Sequence, residues 1–140
     1  MIILSCDHAG FDYMQKLIDY FEKHKIEFKY MGPKEYNAED DYPDFIAPAT
    51  KEVLKNEENC GIFICGSGAG ANMVANRFKG IRAICASDPV EAFFARKDED
   101  ANVLTIGSRF VSFRKAIKII RTFMTTEFEG GRHSRRIAKY

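Results

Sequence analysis

The sequence predicts an α/β fold in which a five-stranded, mostly parallel sheet is covered by helices on both faces. Three observations support this prediction: five short apolar runs of strand length, helical spacing of apolar residues between them, and turn residues where one pattern gives way to the next. Strands and helices that alternate in this way form parallel sheets with right-handed crossovers. A length of 140 residues suits one domain, so residues 1–140 are expected to fold as a single unit.

The first half of the chain shows this alternation clearly. The run IILSC at 2–6 is short and continuous, as expected of a buried strand, and Asp41-Tyr42-Pro43 can open a helix because proline is tolerated in a first turn. The predicted elements are, in order, a strand at 2–6, a helix from Phe11 to Phe21, a strand at 26–31, a polar loop at 34–41, and a helix with Ile46, Ala49, Val53 and Leu54 on its apolar face.

The second half continues the pattern. The run CGIFIC at 60–65 leads into the glycine cluster GSGAG, Asp88-Pro89 begins a later helix, and Gly107 stops the last strand. The predicted elements are, in order, a strand at 60–65, a helix near 70–78 with Met73, Val74 and Phe78, a strand at 81–85, a helix with Ala92, Phe93 and Ala95, a strand at 103–106, a helix at about 112–124 with Ala116, Ile119, Ile120 and Phe123, and a short basic helix in the C-terminal tail.

Composition and charge restrict the functions that the chain can have. Hydrophobic residues make up 46% of the sequence, with 12 Phe and 6 Tyr, which is typical of a packed globule. Because 21 Lys and Arg nearly balance 20 Asp and Glu, the net charge of +1 offers no overall attraction for nucleic acid or for a membrane. We therefore expect neither partner, and any anion must bind at a local site.

The cellular setting is expected to be the cytoplasm. No apolar run approaches the ~20 residues of a membrane span, and the start MIILSC lacks the basic region and the long apolar run of a signal peptide. The four cysteines, at 6, 60, 65 and 85, form no C-x-x-C pair, so reduced thiols are expected. Cys6 and Cys85 are interpreted as core residues.

The glycine cluster at 66–70 joins a strand to a helix and allows more than one interpretation. With Ala71 it fits G-x-G-x-x-A, and Asp88 follows about one strand later, as in dinucleotide-binding proteins. However, the motif follows the third strand instead of the first, and the lysine of a phosphate-binding P-loop is absent. A simple turn does not need three alternate glycines, which cost backbone entropy. We expect the amides of this loop to approach a ligand oxygen.

Open parallel sheets bind ligands beyond the carboxyl ends of their strands, which selects further candidates. Cys65 directly precedes the glycine loop, where a thiolate can act as base or nucleophile, although a lone cysteine at a strand end is often a small buried hydrophobe. Asp7 and His8 end the first strand and either bind a substrate or serve as a helix cap and a surface histidine. A zinc site formed by Cys6, His8 and Cys65 has no supporting ligand spacing.

The segment 129–140, called the tail below, is basic. Arg132 and Arg136 lie four residues apart and can point the same way on a helix, a spacing suited to one phosphate, whereas most basic clusters are solvated surface. Because no nucleic-acid motif accompanies these residues, a small phosphorylated metabolite is the simpler partner.

Six blocks of the sequence together resemble a known family. They are CDHAGF (6–11), DYPD (41–44), GIFICGSGAG (61–70), ANRFKGIRA (75–83), DANVLTIGSR (100–109) and FEGGRHSRR (128–136). In content and order they are similar to ribose-5-phosphate isomerase B and its sugar-phosphate isomerase relatives, including galactose-6-phosphate isomerase. The resemblance implies a Rossmann-like three-layer α/β/α sandwich, no metal or organic cofactor, and a homodimer, sometimes paired into a homotetramer, with sites shared between subunits.

The resemblance also implies an activity and its residues. It implies an aldose–ketose isomerase that interconverts ribose 5-phosphate and ribulose 5-phosphate through an enediolate, with Cys65 as the base and Ser67 bonded to the sugar oxygens. Relatives that lack the cysteine use a glutamate where this chain has Ala71. Asp7 and Tyr42 look like sugar contacts. The implied substrate-binding set, in which His8 and the three arginines match phosphate ligands, is Asp7, His8, Tyr42, Gly66, Gly68, Ala69, Gly70, Glu99, Arg109, Arg132 and Arg136.

One position departs from the family pattern. Where the family typically has His-Asn, with the histidine assigned to opening the furanose ring, this chain has Asp98-Glu99. A carboxylate is a poor acid at neutral pH but can accept a proton from the anomeric hydroxyl, so Asp98 is the candidate for ring opening. Otherwise Asp98 is a surface residue and the ring opens by another group, by water or before binding. Two further functions stay open: isomerisation of allose 6-phosphate or galactose 6-phosphate, and sugar-phosphate binding without catalysis.

Overall fold

Five strands and six helices alternate along the chain, as the sequence predicts. The structure is a computed structural model that describes all 140 residues. Its elements are, in order, β1 (Ile2–Cys6), a 3₁₀ turn (His8–Gly10), α1 (Phe11–Lys23), β2 (Phe28–Tyr30), α2 (Tyr42–Val53), β3 (Cys60–Cys65), α3 (Ala69–Ala75), β4 (Ala83–Cys85), α4 (Pro89–Glu99), β5 (Val103–Gly107), α5 (Phe113–Thr125) and α6 (Arg132–Ile137).

All five strands are parallel and lie in the order β2-β1-β3-β5-β4. From β1 the chain first moves outward to β2 and then returns past β1 to β3, so the direction of winding reverses between β1 and β3. A crevice opens at such a reversal beyond the carboxyl ends of the two strands. Here those ends carry Cys6-Asp7-His8 and Cys65-Gly66-Ser67.

Helices cover both faces of the sheet and complete three layers, which confirms the predicted fold class. Side chains of alternate strand residues point to opposite faces, so each face has its own apolar cluster. One cluster joins α1, α4 and α5 to residues such as Leu4 and Ile62, and the other joins α2 and α3 to Ile3 and Phe63. Cys65 belongs to the second cluster, directly below the loop that leads into α3.

The two edge strands are shorter than predicted. β2 and β4 have three residues each, instead of the predicted runs 26–31 and 81–85, because each is paired on one side only. α3 ends at Ala75, earlier than the predicted end near 78. No helix has both the length and the apolar character needed to cross a membrane.

One residue predicted to lie in the core is exposed, and so are three apolar residues of the predicted helices. Cys85, predicted to be a core residue, is exposed because it ends the edge strand β4. Met73 is 69% exposed because α3 buries Ala71 and Ala75, which lie on its opposite side. Phe93 and Leu54, two further apolar residues of the predicted helices, are also exposed.

Candidate active site

Loops that follow β1, β3 and β5 meet at the carboxyl edge of the sheet, as predicted. The backbone N–H of Ser108 donates to the Cys65 carbonyl at 2.9 Å, and that of Arg109 donates to the Gly66 carbonyl at 3.1 Å. The Ser108 hydroxyl donates to the carbonyl of Ala9 at 2.7 Å and so joins the β5 loop to the turn after β1. These bonds hold three strand ends in one fixed arrangement around the crevice.

The glycine loop presents backbone donors that the protein itself does not use. Gly68 has φ of +78°, which reverses the chain before α3. The backbone N–H of Gly68 is bonded to Cys65, but those of Gly66, Ser67 and Gly70 have no acceptor in the protein. Three amides in one loop are therefore free to bind a ligand oxygen.

Cys65 lies beneath this loop. Its Sγ accepts a hydrogen bond from the Gly68 N–H at 3.2 Å, and the residue is 3% exposed, so the sulfur is almost fully enclosed beneath the loop. The amide donor fixes the side chain and offers an electrostatic partner to a thiolate. Burial raises the pKa of the Cys6 thiol, in the neighbouring strand β1, to about 12, which keeps Cys6 protonated at neutral pH.

Two long side chains flank the loop where glycine leaves room for them. A Cβ at Gly66 would lie 2.9 Å from Cζ of Arg109, and a Cβ at Gly70 would lie 2.9 Å from Cζ of Tyr42. Neither the Arg109 guanidinium nor the Tyr42 hydroxyl is bonded to a protein group. The Ser67 hydroxyl accepts from the Ala69 N–H at 3.2 Å and keeps its own proton to donate.

Asp7 and His8 also lie at this edge, and each has a partner in the protein. The Asp7 carboxylate accepts from the Gly10 N–H at 3.0 Å, which is the capping role that the sequence allowed, and burial raises the pKa of this carboxyl. His8 Nδ1 pairs with Asp40, which also accepts the His8 backbone N–H at 3.0 Å. Sequence reasoning missed Asp40 because it lies in a polar loop, although Asp40 directly precedes the block DYPD.

We expect His8 to bind its proton less tightly when Asp40 is replaced by Asn. The hydrogen bond to Asp40 raises the pKa of His8, and without the carboxylate that pKa should fall toward its ordinary value of about 6.5. Because the pKa of His8 is higher in the folded protein than in the unfolded chain, its pairing with Asp40 stabilises the fold. This stabilisation is complete at a pH below the pKa of His8 in the unfolded chain, and it is lost as the pH rises through the pKa of His8 in the folded protein. NMR titration of the His8 ring protons measures the shift. Asp41→Asn, an exposed neighbour, is the control, and equal His8 pKa values in Asp40→Asn and the parent would contradict the assignment.

The other predicted site residues, Asp98, Glu99 and those of the tail, lie in the same chain near the amino ends of the strands, opposite the carboxyl ends that carry Cys65. α4 starts near the carboxyl end of β4 and runs back over 11 residues, about 16 Å, so Asp98 and Glu99 lie near the amino end of β5. The tail packs on this end of α4: the Glu129 N–H donates to the Lys97 carbonyl at 2.9 Å. Arg132 and Arg136 belong to the tail and are exposed. Within one chain these residues do not join Cys65.

A large cavity lies beside the second group, away from Cys65. It has a volume of about 690 Å³ and lies between β4, α4 and the tail, with Asp98, Glu99 and Tyr140 in its wall. Possible metal ligands also gather here, since Asp98, Glu129 and His133 form the one such group in the structure. The alternative zinc site at Cys6, His8 and Cys65 is therefore not supported.

Comparisons with known proteins agree with the family that the sequence resembles. A family model described as Ribose/Galactose Isomerase matches residues 2–140. A Mycoplasma pneumoniae protein named probable ribose-5-phosphate isomerase B is 41% identical over 138 residues, which cover 99% of this chain and 91% of the relative. Ribose-5-phosphate isomerase B of Escherichia coli is 35% identical over 137 residues, with 97% and 91% covered.

Solved structures of the same family have the same fold. The chain is similar to ribose-5-phosphate isomerase B from Mycoplasma genitalium with bound ribulose 5-phosphate, with a TM-score of 0.94, 39% identity, and 99% of this chain and 91% of the other covered. For ribose-5-phosphate isomerase B from Clostridium thermocellum the TM-score is 0.93 and the identity 36%, with 99% and 93% covered.

Proposed function

The chain belongs to the ribose/galactose isomerase family, and on that basis we propose that it interconverts ribose 5-phosphate and ribulose 5-phosphate. One observation carries the proposal: a cysteine sulfur lies under a loop with three free amides, in a chain that closely matches a structure with bound ribulose 5-phosphate. A base beside preoriented donors is what isomerisation through an enediolate requires.

In the proposed reaction Cys65 moves one proton between two carbons. Its thiolate removes the proton from C2 of the open-chain aldose, the C–H electrons form the C1–C2 double bond, and the oxygen on C1 gains the negative charge. The amides of Gly66, Ser67 and Gly70 stabilise that oxygen. The sulfur then returns the proton to C1, while the hydroxyl on C2 passes its proton to the C1 oxygen and becomes the ketose carbonyl.

The remaining side chains at this edge hold the sugar. Ser67 and Tyr42 offer hydroxyls to the sugar oxygens, with Asp7 as a further sugar contact, while His8 and Arg109 offer positive charge to the phosphate. Because Cys65 is nearly enclosed, a bound sugar separates the base from bulk water. A reactive thiol persists best where thiols stay reduced, which supports the expectation of a cytoplasmic protein.

We further propose a homodimer in which the tail completes the site of the other subunit. Asp98 and Glu99 lie at the far end of α4, about 16 Å from the carboxyl edge of their own chain, and the tail with Arg132 and Arg136 packs on that end. A second copy must therefore supply these residues to each crevice. A surface suited to self-association surrounds the exposed edge strand β4, where Val90 and Phe94 of α4 are 60% and 49% exposed. The whole chain then acts as one domain with a shared site.

An assay over three sugar phosphates tests the function directly. We expect turnover of ribose 5-phosphate to exceed that of allose 6-phosphate and galactose 6-phosphate.

Asp98→His should raise turnover when the sugar is supplied as its closed ring, because an imidazole near neutrality can both donate and accept the proton that opens the ring, whereas a carboxylate only accepts it. Turnover is measured as ketose formed over time.

The same assay separates the competing possibilities. If calorimetry detects binding of ribose 5-phosphate but no ketose forms, the chain is a binding protein and the proposed activity is wrong. Faster turnover of a hexose phosphate would reassign the substrate. If Asp98→His leaves ring-form turnover unchanged, another group or water opens the ring.

A further inference from the structure

Asp40 is a buried carboxylate whose one ion-pair partner is His8, at the edge of the crevice. The Asp40 side chain is 6% exposed, and its Oδ1 pairs with both the backbone N–H and the ring Nδ1 of His8. Its other oxygen, Oδ2, is buried and has no hydrogen-bond partner. A buried carboxylate costs free energy that a single imidazole offsets only in part, so an anchor for the loop alone does not require the charge.

The surrounding chain holds this pair in one geometry. The Asp40 N–H donates to the Asn37 carbonyl at 3.2 Å, and the Asn37 side chain accepts the Glu39 N–H at 3.1 Å. The Tyr36 ring lies edge to face with the His8 ring, with the centroids 6.5 Å apart. Because Nδ1 is bound to Asp40, Nε2 is the ring nitrogen left for a ligand. It has no partner in the protein, and the His8 side chain is 30% exposed.

Two carboxylates act on the His8 ring. The hydrogen bond to Asp40 is the main cause that raises the pKa of His8; burial lowers this pKa in part, and the charges of Asp7 and Asp40 add to the rise. The remaining titratable groups around the pair, all uncharged near neutrality, are Cys6, Tyr30 and Tyr36. The charged groups that face His8 are therefore both negative.

Protonated His8 matches the charge of a phosphate ester over a limited pH range. A phosphate monoester becomes a dianion above about pH 6, whereas an ordinary imidazole loses its proton above about pH 6.5. Unassisted, the imidazolium and the dianion therefore coexist over only about half a pH unit. Asp40 extends that range upward, because its carboxylate favours the protonated ring.

We propose that Asp40 is a positioning residue for phosphate recognition, which orients the His8 ring so that its Nε2–H donates to a phosphate dianion in the crevice. The inference rests on the proposed function, in which His8 meets the phosphate of the sugar. Asp40 acts through His8, since its own carboxylate is buried and bound to that ring. Its charge affects substrate affinity, and the proton transfer at Cys65 does not require it.

The pH dependence of KM for ribose 5-phosphate in Asp40→Asn tests the proposal. The asparagine oxygen can still accept both His8 N–H groups, so the ring keeps its orientation without the buried charge. At about pH 8 His8 of the variant should be neutral, with a lone pair on Nε2, and KM should rise about tenfold because a charge-assisted hydrogen bond is lost. kcat should stay within about twofold, because the interaction is equal in the ground state and the transition state.

At low pH the effect should vanish or reverse. Below about pH 6 His8 is protonated in both proteins, and no carboxylate at position 40 offsets its charge in the variant, so KM should equal that of the parent or fall below it. If Asp40 only anchored its loop, the variant would bind more weakly at every pH. The crossover therefore separates a role in recognition from a structural role.

Matched variants identify the route of the effect. Glu39→Gln removes an exposed carboxylate from the same loop and should keep the parental dependence of KM on pH. In a His8→Gln background, Asp40→Asn should cause no further pH-dependent change, because the charge acts through the ring. If the buried amide prevents folding of Asp40→Asn, Asp40→Ser removes the charge with a smaller side chain and should give the same crossover.

Binding of inorganic phosphate, followed by the NMR signals of the His8 ring, separates this inference from the proposed function. Phosphate should bind the parent more tightly than Asp40→Asn at about pH 8, whether or not ketose is formed. If the parent forms no ketose, the proposed function is wrong, and the phosphate titration still decides the role of Asp40. That role is overturned if phosphate leaves the His8 signals of the parent unchanged, if Asp40→Asn binds as the parent does at pH 8 or more weakly at every pH, or if its effect persists in His8→Gln.

Discussion

Cys65→Ser is expected to lower kcat for isomerisation of ribose 5-phosphate by about 10²–10⁴, the range that loss of a general base produces. A serine hydroxyl is not ionised at neutral pH, so it cannot take the proton from C2. The hydroxyl can still accept the Gly68 N–H, and the loop should keep its conformation. Sugar-phosphate binding should therefore change by only a few fold.

Exchange of the C2 proton in deuterated water, followed by NMR, measures this step directly. The matched control is Cys85→Ser, because Cys85 is exposed and lies on the far side of Gly68, close to the position of its absent Cβ. This control should exchange at the parental rate. If Cys65→Ser exchanges as fast as the parent, the base is another group.

The same variant tests whether the site is shared between subunits. Cys65→Ser lacks the base, and Arg136→Ala lacks a tail contact to phosphate, so each homodimer should have two defective sites. A mixed dimer would contain one intact site, and random exchange of equal amounts would restore about a quarter of the parental activity. No recovery after confirmed subunit exchange would mean that both residues serve one chain.

The fold could be predicted from the sequence because the patterns that mark its strands and helices lie within short segments of the chain. Apolar runs such as IILSC and CGIFIC mark central strands, and Asp88 begins α4 as predicted, with Glu91 completing a capping box. The edge strands β2 and β4 are shorter than predicted, because each is paired on one side only and apolar residues continue beyond the paired part. Cys85 illustrates the limit: it follows apolar residues as Cys65 does, but it ends an edge strand and is exposed.

The candidate site could be predicted only where strand order decides it. Residues directly after β1, β3 and β5 lie at one edge in any parallel sheet, so Cys65, His8 and Arg109 were placed together correctly. The contact between His8 and Asp40 spans 32 residues and depends on the path of a loop, which has no periodic signal. The position of the tail likewise depends on tertiary packing against α4.

Gly68→Ala is expected to lower the free energy of unfolding by about 3 kcal/mol and the melting temperature by roughly 10 °C, together with a large loss of kcat. Two costs combine. A φ of +78° costs an L-residue about 1–2 kcal/mol, and a Cβ would lie 2.9 Å from the Gly107 nitrogen and 3.0 Å from the Ile106 carbonyl carbon. These are backbone atoms of the central strand β5, so the loop must move instead, and the Gly68 N–H then leaves the Cys65 sulfur.

Gly130→Ala isolates the backbone cost from the steric one. Gly130 has φ of +71°, but the nearest atom to a Cβ there is the Ser134 hydroxyl oxygen at 3.7 Å, an ordinary contact. Only the conformational term of about 1–2 kcal/mol should then appear. Urea unfolding measures the free energy of unfolding of each variant, and thermal unfolding measures its melting temperature. All variants are compared at one protein concentration, so that self-association contributes equally to each. If Gly68→Ala and Gly130→Ala lowered the free energy of unfolding by the same amount, contact with β5 would not constrain the loop. Glycine at position 68 would then be required for its dihedral angle alone.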